Sequence, residues 1–512
     1  MLAMASADYR TITDFLFETA RRSPDRLAVV DDTSSLSYGE LAAQAAALGR
    51  TLKRQGLTAG TRVIVHLPNT VDFLRAHFGV LWAGGVSVPV ESAASAHTVA
   101  AAARNSAARL VIALPQVAEQ LEEVIPSTAG TEIVVLTPDA YADQAAQEER
   151  PDVRPDQLAC LLFTTGSTAS PKGVPLRHEN VCAAVENLVQ VIGYTEADRE
   201  VIILPLAHSF GLGHVYCNFR VGGAVRLFEG LSKVGRILKA IREFKATGFP
   251  GTPLGFGLLL DRFREPFVES ARGLRFIVVN SAPLPPHRAK QLMADLPDTS
   301  LFVYYGLTEA SRSTLHLLNG TPEHRLLSVG RAMPQIDIRI DGENGNPLPA
   351  GAIGQVTITG PTVPGLYWAA DDATADGYRF GRLQSGDLGY LDADGYLFIT
   401  GRIKDQINIG GTKVAATEVE AALLEHHEII DCTVLGMPSR VGMESEVVVA
   451  CVVLREDAVL DSPGLKSFLR TRLEQYKIPS EIYRVERVPR ATTGKVLRPE
   501  VQALVSFARG DL

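Results

Sequence analysis

The chain is short of several things, and each shortage excludes a class of protein. It has no surplus of basic residues: its 50 Lys and Arg are outnumbered by 58 Asp and Glu, giving a net charge of −8. A nucleic-acid binder would carry a basic footprint, so none is expected as a partner. No basic block or basic amphipathic helix marks a membrane surface. No uncharged apolar run reaches the length that spans a bilayer; the longest candidate, around residues 201–217, is broken by Pro205, two histidines and two glycines. The N-terminus lacks a charged segment followed by an apolar one, so no secretory signal is expected. Cysteine is scarce: Cys160, Cys182, Cys217, Cys432 and Cys451 are scattered, odd in number and without a C-x-x-C pair. They read as buried thiols in a reducing, cytoplasmic compartment, not as a disulfide frame or a metal site. No pattern of a serine hydrolase or cysteine protease is present.

What is there fits a globular protein of more than one domain. The chain has 512 residues, 46% hydrophobic and 21% charged. Over the first 304 residues, short apolar runs at 27–30, 63–67, 86–90, 110–113, 158–163, 224–228, 247–249, 276–279 and 301–304 alternate with helical periodicity. That alternation predicts an α/β fold with parallel sheets covered by helices on both faces. Ser37-Tyr38-Gly39-Glu40 has the spacing of a capping box, opening a helix that buries Leu41, Ala45, Leu48 and Leu52 and ends at Gly56. From 327 to 400 the pattern changes to strict alternation, as in Ile336–Ile340 and Gln355–Thr359, with Gly/Asn/Pro turns between. This predicts antiparallel sheet, closing as a small β-barrel. Beyond it, strands at 432–436, 446–454 and 481–487 and helices from about 417 and over 463–474 predict a small α+β domain. Thr417 to Glu420 is expected to cap the first of these helices.

The stretch that organises the rest is Leu158-Ala-Cys-Leu-Leu-Phe163 running into Thr164-Thr165-Gly166-Ser167-Thr168-Ala169-Ser170-Pro171-Lys172-Gly173. A buried strand that breaks into small hydroxyl residues, glycine and a lysine offers many donors and one cation to a polyphosphate. It is not a Walker A loop, because Gly173 and not Ser or Thr follows the lysine.

This loop resembles the phosphate loop of the adenylate-forming superfamily, which comprises acyl- and aryl-CoA ligases, peptide-synthetase adenylation domains and luciferases. Ala169 stands where the family usually has a third glycine. Further segments resemble the family in order and spacing: L-P-L-A-H-S-F-G-L at 204–212, N-S-A-P-L at 280–284, Y-G-L-T-E-A at 305–310, S-G-D-L-G at 385–389, G-R-I-K-D at 401–405 and P-R-A-T-T-G-K-V at 489–496.

The resemblance implies a reaction and a set of roles. ATP and a carboxylic acid form an acyl-adenylate and pyrophosphate, and the acyl group then passes to the thiol of coenzyme A or of a separate acyl carrier protein. A non-catalytic nucleotide-binding regulator on the same fold is a third alternative. Thr164, Thr165, Gly166, Ser167, Thr168 and Lys172 would hold phosphates, with Thr308. Glu309 would hold Mg²⁺. Ser281, Ala282 and Tyr305 would meet adenine, and Asp387 and Arg402 the ribose or phosphate. His208, Phe210, Thr252, Leu254, Asn280 and Gly306 would line the acid pocket. Lys495 would stabilise the reacting carboxylate and α-phosphate. Lys404 would be the hinge between an N-terminal AMP-binding domain, 1–401, and a mobile C-terminal domain, 402–512. Gly410 and Gly411 would line the thiol tunnel.

The family's α-amino-acid activators place an acidic residue in the segment 208–214, and here it reads H-S-F-G-L-G-H. The expected substrate is therefore an apolar acid, aliphatic, alicyclic or aromatic. The family's G-x-P-D-x-x-x-G-E stretch appears as Gly436-Met-Pro-Ser-Arg-Val-Gly-Met-Glu444, with the aspartate and the second glycine replaced.

Overall fold

The computed structural model describes residues 9–125, 130–137, 141, 151–164, 172–409, 412–439, 446–491 and 494–510. Thr165, Gly166, Ser167, Thr168, Gly410 and Gly411, and most of the altered 436–444 stretch, lie outside the described residues. The chain forms two compact units: residues 1–337 with 358–383, and residues 338–357 with 384–512.

The first unit holds two sheets. In the six-stranded sheet the order is Glu132–Val135, Leu110–Ala113, Arg62–His66, Val86–Pro89, Leu158–Thr164 and Lys172–Arg177. The first five strands run parallel and the last turns back antiparallel, pairing Thr164 with Lys172 at its open end. In the nine-stranded sheet, Leu27–Val30, Ala224–Leu227, Arg199–Ile202, Gly248–Gly251, Phe276–Val279 and Ser300–Val303 are parallel neighbours. Its edges are antiparallel: Ser35–Ser37 on one side, Thr314–Leu317 and Arg331–Ala332 on the other.

Helices join the sheets. Val71–Trp82 packs on the six-stranded sheet, Ser209–Val221 on the nine-stranded one, and Ile12–Arg22 on both helices. A buried chain crosses this layer: His77 Nδ1 meets Ser87 Oγ at 2.8 Å and its Nε2 meets Tyr216 Oη at 2.6 Å. The predicted capping box forms, with Ser37 Oγ accepting from Glu40 N and the Glu40 carboxylate from Ser37 N.

Most of a five-stranded sheet falls in the second unit, from the strands Asp337–Asp341, Gly354–Thr359, Arg382–Leu391 and Leu397–Arg402; its short strand Tyr378–Arg379 belongs to the first. Among the described residues no pairing closes this sheet into the small barrel expected. The C-terminal core packs Val419, Ala422 and Leu423 against Val434, Val448 and Ala450. Thr417 does not cap its helix. It lies inside Ala416–Leu424 and donates to Thr400 O, while the buried Glu420 carboxylate accepts from Val434 N and Thr433 Oγ1 on the neighbouring strand. Burial raises the Glu420 pKa. These units place most of the antiparallel sheet with the C-terminal residues.

Candidate functional site

Parallel sheets bind ligands beyond the carboxyl ends of their strands, and the candidate residues of the first unit stand there. Thr164 closes Leu158–Thr164 and its Oγ1 donates to Lys172 O at 3.4 Å. His208 follows Arg199–Ile202 and precedes the helix Ser209–Val221. Thr252 follows Gly248–Gly251, Asn280 and Ser281 follow Phe276–Val279, and Tyr305 to Glu309 follow Ser300–Val303.

Two of these loops are conformationally unusual. Ser281 has φ +85°, a left-handed conformation disfavoured for a side-chain-bearing residue, and its N donates to Asn280 Oδ1. Residues 305–310 form a tight turn closed by Leu307 and Ala310, whose amides and carbonyls bond to each other. Read without its family, Y-Y-G-L-T-E is a strand entering a capped helix; the fold makes it a strand-to-strand turn instead. Gly306 is what allows it: a Cβ there would sit 2.5 Å from Arg312 N. Tyr305 is held by Thr314, whose Oγ1 accepts from Tyr305 N at 3.1 Å.

Lys172 and Glu309, 137 residues apart in the chain, converge on one residue that sequence reading missed, Tyr367. The Lys172 ammonium lies 5.0 Å from the centre of the Tyr367 ring, and the Tyr367 hydroxyl donates to Glu309 Oε1 at 2.9 Å. Burial and the Glu309 charge push the Tyr367 phenol above its usual pKa, so it stays a donor. The tyrosine is fixed by its own amide, which donates to Thr374 Oγ1 at 2.8 Å. The alternation of the neighbouring strands carries no signal for this residue, which sits on the loop ahead of the helix Asp371–Gly377.

The acid-pocket candidates divide. Phe210 is buried between Tyr304, at 5.5 Å edge-to-face, and His214, at 5.4 Å. His208 Nε2 meets Glu91 Oε1 at 2.6 Å, a partner that the sequence did not flag. Asn69 is a second missed residue. It accepts from Leu206 N and donates to Leu204 O, holding the segment that leads to His208. Thr252 Oγ1 is engaged as a helix cap, accepting from Gly255 N at 3.1 Å. Leu254 is 53% exposed and Ala282 is exposed.

In the second unit, Asp387 and Arg402 face each other across paired strands, with Arg402 Nε 2.8 Å from Asp387 Oδ1. The aspartate is nearly buried and its amide donates to Ser385 Oγ at 3.0 Å. Lys404 is exposed in the short 3₁₀ turn Ile403–Asp405. Lys495 is exposed on a turn closed by the Arg490–Val496 bridge, with Gly494 at φ +83°. Arg490 is itself pinned by Asp431 at 2.7 Å. All five cysteines are buried. No helix among the described residues is long and apolar enough to cross a membrane.

Loops at the carboxyl ends of two parallel sheets, with a lysine and a carboxylate brought to one tyrosine, make a polar site where such sheets bind ligands. Comparison with known proteins gives the family. Residues 16–368 match the AMP-binding enzyme family and residues 418–495 the AMP-binding enzyme C-terminal domain. The chain is 32% identical over 490 residues to a feruloyl-CoA synthase of an Amycolatopsis species, covering 94% of this chain and 96% of the relative. It is 31% identical over 504 residues to a sulfoacetate–CoA ligase of Cupriavidus necator, covering 96% and 97%. Among solved structures, ATP-bound MatB from Rhodopseudomonas palustris superposes with a TM-score of 0.88 at 27% identity, covering 96% of this chain and 98% of that one.

The chain belongs to the AMP-binding enzyme family. It is an acid–thiol ligase of the acyl-CoA synthetase type, which joins a carboxylic acid to coenzyme A through an acyl-adenylate, with ATP and Mg²⁺.

Proposed function

We propose that the substrate is a carboxylic acid with an apolar body and that the residues named above divide the reaction between them. A carboxylate is a poor electrophile, and its negative charge opposes the approach of the α-phosphate. Charge compensation and alignment are therefore the large terms. Thr164 to Thr168, Lys172 and Thr308 hold the phosphates. Mg²⁺ is commonly bound through one or two carboxylates and the substrate's own phosphates, so Glu309, oriented by Tyr367, fits as its protein ligand. When bound, the ion neutralises phosphate charge. Tyr305, Ser281 and Ala282 meet adenine, and Asp387 with Arg402 holds the ribose. Lys495 bridges the carboxylate and the α-phosphate. Rotation about Lys404, the hinge between residues 1–401 and 402–512, then exchanges Lys495 for Gly410 and Gly411 before the thiol enters.

The observation that carries this reading is the convergence of Lys172 and Glu309 on Tyr367, which brings the end of the phosphate loop to the Y-G-L-T-E turn. The acid pocket, between His208, Phe210, Thr252, Leu254, Asn280 and Gly306, has no acidic residue in the segment 208–214. The carboxylate beside this segment, Glu91, is taken up by His208, so a substrate ammonium would lack a partner of its own there, which disfavours amino acids. The replaced aspartate and glycine in the 436–444 stretch support a second acceptor, the phosphopantetheine of a separate carrier protein, beside coenzyme A. Our reading of a cytoplasmic location is supported by the five buried thiols.

Lys495→Ala tests the assignment. Acid-dependent ATP–pyrophosphate exchange is expected to fall at least 100-fold while ATP binding by calorimetry is retained. Exchange that survives the substitution removes Lys495 from the chemistry.

A further inference from the structure

We infer that Arg312 sets the substrate class: the acid is one whose apolar body ends in a second carboxylate, which the Arg312 guanidinium receives. This rests on the proposed acid pocket and adds its specificity element.

Arg312 is placed among the pocket candidates. Its Nη2 donates to Ser209 O at 3.1 Å, between His208 and Phe210 in sequence, and its Cζ lies 5.9 Å from the ring centre of Tyr304, which packs on Phe210. Its backbone closes on Gly306. The helix Ser209–Val221 makes room for it, because a Cβ at Gly213 would sit 1.6 Å from Nη2. The residue adopts φ +57°, a conformation unfavourable for arginine, and its side chain is nevertheless buried, with the residue 3% exposed.

The charge in this position is incompletely met. A guanidinium has five N–H donors. Nη1 donates to Ser311 Oγ at 2.7 Å and Nη2 to the Ser209 carbonyl, both neutral acceptors. Nε is buried and has no partner among the described residues. No carboxylate among the described residues forms an ion pair with it. The buried Glu200 carboxylate is engaged elsewhere, accepting from the Tyr194 hydroxyl and lying 3.0 Å from His214 Nδ1. A buried guanidinium with an orphaned donor and no directly bonded carboxylate is costly to hold. A carboxylate fits a guanidinium's fork better than any neutral acceptor does.

The test is ATP–pyrophosphate exchange with matched pairs of acids, each pair differing in a terminal carboxylate: hexanoate and adipate, butyrate and succinate, benzoate and terephthalate. Wild type, Arg312→Leu and Arg312→Lys are compared by kcat/KM. The wild type is expected to favour the diacid at least tenfold in its best pair, Arg312→Leu to invert that ratio, and Arg312→Lys to retain part of it. A wild type that prefers the monoacid in every pair overturns the inference and leaves adenylation standing. So does a ratio that Arg312→Leu leaves unchanged. Absence of exchange with every acid overturns the adenylation reading, and this one with it. If Arg312→Leu does not fold, the wild-type ratio and its change in Arg312→Lys decide the matter.

Discussion

Replacing Tyr367 by Phe isolates one hydrogen bond in the proposed site. The substitution keeps the ring on which the Lys172 ammonium lies at 5.0 Å, and removes only the hydroxyl that donates to Glu309 Oε1 at 2.9 Å. A hydrogen bond to a charged group contributes about 1.5–3 kcal/mol. At about 1.4 kcal/mol per factor of ten, adenylation should slow by about 10- to 150-fold if the carboxylate must be held in one orientation. The stability cost should be smaller, about 1 kcal/mol or less, because Glu309 is only half-buried and water can replace the phenol. The phenol's pKa is raised by burial and then by Glu309, so the bond persists over the whole neutral and mildly alkaline range. The assay is pyrophosphate exchange at saturating acid with a Mg²⁺ titration, beside a denaturation curve. A slower exchange whose Mg²⁺ titration is shifted to higher concentration is expected. Unchanged exchange and an unchanged Mg²⁺ titration in a folded Tyr367→Phe protein would refute the placement of Glu309 at the metal.

Three further outcomes are expected. Gly306→Ala forces a methyl to within 2.5 Å of Arg312 N and 3.0 Å of Ala310 O, both backbone atoms, and should cost about 1–3 kcal/mol of stability and distort the turn; denaturation and exchange measured together would show it. His77 is held down to about pKa 3 by burial, then by His178. It stays neutral in the folded chain while the unfolded chain takes up a proton below about pH 6.5. Its contribution is therefore complete above that pH and lost at about 1.4 kcal/mol per pH unit as the pH falls toward 3. The gap in melting temperature between wild type and His77→Gln should shrink from pH 7 to pH 5. Burial pushes Cys160 and Cys217 up to about 12 and Cys451 up to about 11, so a thiol reagent at pH 8 should label none of the five cysteines until denaturant is added.

The parallel sheets were legible because their strands are continuous apolar runs. Arg62–His66, Val86–Pro89, Leu110–Ala113 and Phe276–Val279 fall where the pattern puts them. The capping box at Ser37 was legible for a local reason, since both of its hydrogen bonds join residues three apart. Thr417 to Glu420 has similar chemistry and failed because tertiary partners won: Thr400 O took the hydroxyl and the strand Ile429–Pro438 took Glu420. The Y-G-L-T-E turn looks helical locally and is bent by Gly306. Tyr367, Glu91, Asn69 and Arg312 were missed because each acts through a partner distant in the chain, as with Tyr367 and Glu309, 58 residues apart, or Arg312 and Ser209, 103 apart. Spacing along the sequence holds no record of such pairs. The helix Arg498–Arg509, whose buried side includes Val501 and Val505, was missed although its period is visible in hindsight.

The central claim is that this chain activates a carboxylic acid as its adenylate and hands it to a thiol. Acid-dependent ATP–pyrophosphate exchange, followed by coenzyme A consumption with the best acid, tests it most directly. Exchange that requires both the acid and Mg²⁺, and a thioester whose amount matches the AMP released, is the result predicted. Nucleotide binding without exchange, across monoacids, diacids and amino acids alike, would contradict it.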